Sequence, residues 1–123
     1  MYSELISENF SNPTHNGVLD KPDVMLKNVD PVCGDQVQVS LTVNDDGTIL
    51  SAKFQAWGCA TSIAASNLFC KWLEGKSLRE VSMAKPALLS ELLGDLAPEQ
   101  RHCVEMLVRM VGQVKNNMPE FNS

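Results

Sequence analysis

Two alternating stretches separated by a tight-turn signal constrain this chain most. Gln36 to Val43, QVQVSLTV, alternates apolar and polar residues, the period of a half-buried strand. Asn44 to Gly47, NDDG, follows, and Thr48 to Trp57, TILSAKFQAW, supplies a return strand. Asn and Gly in a short connection between alternating stretches predict a hairpin. A hairpin returns the end of its second strand to the level of the start of its first. Residues beside Gln36 and Trp57 are therefore brought together although distant in sequence.

The rest of the chain reads mainly as helix. Tyr2 to Phe10 suits a short helix ended by Ser11-Asn12-Pro13, and the polar stretch Asn12 to Asn28 reads as loop. Beyond Gly58-Cys59, the residues Ala64, Ala65, Leu68, Phe69 and Trp72 fall on one helical face. Thr61 or Ser62 is the expected cap and Gly75 the expected stop. Ser77 to Met83 and Pro86 to Leu93 suit short helices. Val104, Leu107, Val108, Val111 and Val114 trace a long last helix, with Pro98 in its first turn. Trp57, Trp72, Met106, Met110 and Met118 are expected to pack. The fold class is α+β, a small antiparallel sheet covered by helices, in one domain over residues 1–123.

Composition excludes several function classes. The net charge of −5 and pI of about 4.9 exclude a nucleic-acid surface. Apolar runs are too short for a membrane span. The acidic start, MYSELISENF, lacks a signal-peptide layout, so a cytoplasmic location is expected. There, Cys33, Cys59, Cys70 and Cys103 are expected as thiols rather than disulfides.

Three of these thiols sit at element junctions. Cys33 precedes the first hairpin strand, Cys59 follows the second, and His102-Cys103 opens the last helix. Helix starts favour thiolate, the form that ligates metals and attacks sulfur. Gly34 and Gly58 would let the backbone approach a bound group, and Asp35 adds a carboxylate. Cys33, Asp35, Cys59, His102 and Cys103 thus form a donor set for zinc or an iron–sulfur cluster. The competing reading is a set of small buried core thiols, since no CxxC pair occurs. Cys70 lies opposite the apolar stripe of its helix and reads as a spare thiol outside the donor set. His15 carries no expected role. A Cys–His hydrolase is disfavoured because adjacent His102 and Cys103 are expected to point apart.

Five motifs in order resemble the IscU/SufU (NifU N-terminal-like) family of iron–sulfur cluster scaffolds. They are the N-terminal MYSELISENFSNPTHNG, then PVCGD, FQAWGCATSIAAS, LEGKSLREV and RHC. The resemblance implies a SufE/NifU-like fold. Cys33, Cys59 and Cys103 would bind the cluster, with His102 or Asp35 completing coordination. It implies a cysteine desulfurase as sulfur donor, Cys103 as the persulfide acceptor, and iron with an electron donor such as a ferredoxin. A transient 2Fe–2S cluster would then pass to apo-proteins, and zinc would occupy the resting site. Family members commonly carry LPPVK, a site for a dedicated chaperone, before the His-Cys pair. Here Leu96 to Gln100 reads LAPEQ, so the likeness does not extend to that partner. A SufU-type zinc-dependent sulfur acceptor is the alternative. His102 and the lack of an insertion before Cys103 favour the scaffold. A purely structural zinc domain leaves Asp35 without a task.

Overall fold

A computed structural model describes residues 3–30 and 34–116, apart from the Glu99 side chain. Cys33, Tyr2 and Met118 therefore lie outside the described residues. The order is α1 (Glu4–Ser11), β1 (Val24–Val29), β2 (Gln36–Val43), β3 (Ile49–Trp57), α2 (Ala60–Leu73), α3 (Leu78–Ser82), α4 (Pro86–Leu93), a 3-10 turn (Pro98–Gln100) and α5 (His102–Asn116). The strands form one antiparallel sheet in the order β1-β2-β3. This is the expected α+β class.

The hairpin forms where its alternation places it. Val37, Val39 and Leu41 are buried on one face, and Phe54 and Ala52 stand opposite Val39 and Leu41 on β3. The turn is held by the Asn44 side chain, whose Oδ1 accepts from the backbone N–H of Asp46 at 3.2 Å and of Thr48 at 2.9 Å. At the other end Gln36 stands opposite Trp57, which leaves Asp35 beside Gly58.

The sheet has a third strand that the loop reading of Asn12 to Asn28 missed. Val24, Leu26 and Asn28 are buried, while Met25, Lys27 and Val29 between them are exposed. This is the same two-residue period, obscured by the prolines and glycine that precede it. The side-chain amide of Gln113 on α5 bonds to the N–H and C=O of Lys27, covering the outer edge of β1. On the other edge, Gly17 N–H donates to Phe54 O and Phe54 N–H to His15 O.

Period two also corrects the expectation for Trp57. Phe54 faces the core, so Trp57, three residues on, falls on the outer face and is 56% exposed. Trp72 is half-buried and stacks with Phe69 at 6.0 Å between ring centroids. Met106 and Met110 pack in the core.

Helix α2 is buried on almost every side. Cys70, expected opposite the apolar stripe, is 0% exposed because α1 and the following loop cover that face. The buried Asn67 side chain donates to Asn9 Oδ1 at 2.7 Å and accepts from His15 N–H at 2.8 Å. His15 also meets Glu74 through Nε2 at 2.8 Å, a structural task for a residue expected to have none. Pro98 belongs to a separate 3-10 turn, closed by Gln100 N–H on Ala97 O at 2.8 Å, and α5 restarts at His102. No described helix is long and apolar enough to cross a membrane.

Candidate metal-binding site

Three junctions converge at one end of the sheet. The β1–β2 connection supplies Asp35, the β3–α2 junction supplies Cys59, and the first turn of α5 supplies His102 and Cys103. One donor atom from each of Asp35, Cys59 and His102 lies within 4.8 Å of the others. His102 Nε2 is 3.7 Å from Asp35 Oδ2, and Cys103 Sγ is 3.7 Å from the same imidazole nitrogen. Four of the five expected donors thus come together. The fifth, Cys33, lies outside the described residues.

Each side chain is positioned by its own element. Cys59, not Thr61 or Ser62, is the N-cap of α2: its sulfur accepts from Ser62 N–H at 3.4 Å. The thiol thereby replaces the usual capping oxygen, and the helix start is aimed at the sulfur. Asp35 is tied to the end of β1 by two backbone bonds, Gly34 N–H to Asp30 O and Asp30 N–H to Asp35 O, both at 2.8 Å. Gly34 has φ +76° there, a torsion that favours glycine.

Exposure divides the donors. Cys59 is exposed, the His102 side chain is 23% exposed, and Cys103 is 0% exposed. The junction is thus open at Cys59 and closed over Cys103, not open at every thiol. His102 and Cys103 also meet rather than diverge, so the argument from adjacency against a Cys–His pair does not hold. Gly58 serves a different end from the one expected. A Cβ there would lie 2.6 Å from Asp35 Cγ, so its hydrogen leaves room for a carboxylate of this chain.

Sequence reasoning missed Ser62 as a site residue. Its Oγ donates to Asp35 Oδ2 at 2.7 Å and lies 3.3 Å from Cys59 Sγ and 3.8 Å from Cys103 Sγ. The signal was present: the third residue of a helix whose N-cap is a cysteine lies beside that sulfur. The donor chemistry fits a thiophilic metal or cluster, since two thiols, an imidazole and a carboxylate are the donors that zinc and iron–sulfur sites use.

Comparison with known proteins agrees with the fold. The family model described as NifU-like N terminal domain matches residues 1–117. The iron–sulfur cluster assembly scaffold protein IscU of Haemophilus influenzae is 40% identical over 108 residues, covering 83% of this chain and 82% of that protein. Its counterpart from Escherichia coli K12 is 37% identical over 108 residues, covering 83% and 81%. Among solved structures, a candidate SUF-system iron–sulfur cluster assembly scaffold from Fervidobacterium islandicum superposes with a TM-score of 0.68 at 18% identity, covering 94% of each chain. That likeness speaks for the fold alone. The extent of the family match and the identity to IscU proteins show that this chain belongs to the NifU-like N-terminal domain family.

Proposed function

We propose that the chain is an iron–sulfur cluster assembly scaffold, a carrier rather than a catalyst. It would receive sulfur from a cysteine desulfurase, build a 2Fe–2S cluster and pass it to apo-proteins. The observation that carries this reading is the convergence of Asp35, Cys59 and His102 donor atoms within 4.8 Å, with Cys103 beside the imidazole. The identity to proteins named as scaffolds supports it. Cys33, Cys59 and Cys103 are the proposed thiolate ligands, completed by His102 or Asp35. Soft thiolates hold iron and sulfide firmly, whereas a hard carboxylate exchanges more readily. A mixed donor set therefore suits cargo that must leave.

The proposed sulfur acceptor is Cys103. Its thiolate attacks the outer sulfur of the desulfurase persulfide. A new S–S bond forms at Cys103 as the donor S–S bond breaks, and the desulfurase cysteine leaves as thiolate. The acceptor sulfur is oxidised as the donor cysteine is reduced, with no outside oxidant. Building the cluster then requires iron and an electron donor such as a ferredoxin. Zinc is the proposed resting occupant, held by the same donors.

Anaerobic reconstitution with ferrous iron, a cysteine desulfurase and cysteine tests the scaffold reading by absorption spectroscopy. Sulfur-to-iron charge-transfer bands should appear with the wild-type chain. Cys33→Ser, Cys59→Ser and Cys103→Ser should each weaken cluster retention by more than about tenfold, given that even outer-shell losses reach that size. Cys70→Ala should retain the bands; alanine avoids burying an unpaired hydroxyl in the core. Zinc binding without any charge-transfer band would instead favour a zinc-dependent sulfur acceptor. Equal loss from Cys70→Ala and Cys103→Ser would overturn the ligand set.

A further inference from the structure

We infer that Ser62 is a positioning residue that fixes the Asp35 carboxylate in the metal site, with Gly58 providing the clearance the carboxylate needs. The inference rests on the proposed metal-binding reading and says how one ligand of that site is aimed.

Ser62 is 0% exposed, in a helix whose other buried residues are mainly apolar. A buried hydroxyl needs partners, and those of Ser62 are almost all in the site. Its Oγ donates to Asp35 Oδ2 at 2.7 Å and its main-chain N–H donates to Cys59 Sγ at 3.4 Å. The same Oγ is 3.3 Å from Cys59 Sγ and 3.8 Å from Cys103 Sγ. One residue therefore touches three of the four described donors. A hydroxyl has a single proton to donate. At 2.7 Å from a carboxylate oxygen, that proton is committed to Asp35. The oxygen lone pairs are left toward the two sulfurs.

Room for the carboxylate is set by Gly58. A Cβ at that position would lie 2.6 Å from Asp35 Cγ, 2.8 Å from Oδ1 and 2.9 Å from Oδ2. Gly58 is not among the glycines with positive φ, so its value here is room rather than torsion. Asp35 is thus packed on a bare backbone and pulled by a hydroxyl. Left without these contacts, its loosely defined terminal torsion would let the carboxylate turn away. Held by them, Oδ2 stays 3.7 Å from His102 Nε2 and in range of Cys59. Metal-ligating carboxylates depend on such outer contacts.

A purely structural role for Ser62 would leave the ligand set alone, and a double-mutant cycle separates the two roles. Zinc affinity of the full-length apo-protein is measured by competition with a chromophoric chelator for wild type, Ser62→Ala, Asp35→Ala and the double variant. Ser62→Ala should weaken zinc binding by about tenfold to a hundredfold, and should add little once Asp35 is alanine. Gly58→Ala, whose Cβ would displace the Asp35 carboxylate while leaving the Ser62 hydroxyl in the chain, should do the same. With cobalt(II) in place of zinc, the visible bands of Ser62→Ala and Gly58→Ala should move toward those of Asp35→Ala. Ser66→Ala removes a buried hydroxyl one turn along that donates to Ser62 O, and should keep both the affinity and the spectrum. Equal effects of Ser62→Ala in both backgrounds, or an unmoved cobalt spectrum, would overturn the positioning role alone. A wild-type chain that binds neither metal would overturn the site reading beneath it.

Discussion

Three described thiols show how one side chain takes different roles from different surroundings. Cys59 is exposed and caps a helix, and Cys103 is buried beside an imidazole. Cys70 is buried in the middle of α2, and burial pushes its thiol well above the ordinary value of 9.0, with the nearby Glu74 carboxylate adding to the rise. The unfolded chain ionises this thiol from about pH 9 upward, while the native protein keeps it protonated. The unfolded state then binds fewer protons, so native stability falls as pH rises through that range. Urea unfolding between about pH 8 and 10 should show wild type losing stability faster than Cys70→Ala, by up to about 1.4 kcal/mol per pH unit. Other titrating groups are common to both proteins and cancel in the difference. Parallel slopes would mean that Cys70 is not held neutral by the fold. At this scale Asp35, Cys59 and His102 were legible because donors at junctions stand out. Ser62 was not, because a serine after a helix start looks like a cap, and only the Cys59 cap geometry reveals its neighbours.

Elements were legible where periodicity and turn chemistry agreed. The hairpin had both, and α4 began at its proline as expected. Strand β1 had the period, but the polar stretch with prolines and a glycine before it read as loop and hid the strand. The sidedness of α2 failed because its polar face is covered by α1 through Asn9 and Asn67, a contact no local pattern encodes. Two elements, α2 and α5, begin at the site, and each start carries a thiol. Their exposures oppose each other, since Cys59 is open and Cys103 is covered. Because Cys103 is buried, sulfur reaching it requires local opening around the start of α5. Terminal turns open at lower cost than helix interiors, and α5 follows a separate 3-10 turn rather than continuing it. Mass spectrometry after a brief desulfurase reaction should therefore find the added sulfur on Cys103. Deposition chiefly on exposed Cys59, or on Cys33, would show that the acceptor is another thiol.

The whole molecule ties its site to its stability, because the donors come from segments that only the fold unites. Asp35 precedes β2, Cys59 follows β3, and His102 opens α5. An unfolded chain has no such cluster, so a metal bound there favours the native state by mass action. At a free zinc concentration about 100 times the dissociation constant, the gain is about 2.7 kcal/mol. For a domain of this size, where each kcal/mol moves Tm by roughly 3–6 °C, that corresponds to a rise of roughly 8–16 °C. A chelator should reverse the rise, Cys59→Ser should remove most of it, and Cys70→Ala should keep it. Location provides the sharper test. The pairs Gln36–Trp57 and Val43–Ile49 mark opposite ends of the hairpin, and the site lies at the first. Zinc should therefore slow amide exchange most at Ser62, whose N–H faces the Cys59 sulfur, and in the first turn of α5. The turn from Asn44 to Gly47 should change least. A rise in Tm with uniform protection, or protection centred on that turn, would mean that zinc binds elsewhere and that these junctions do not form its site.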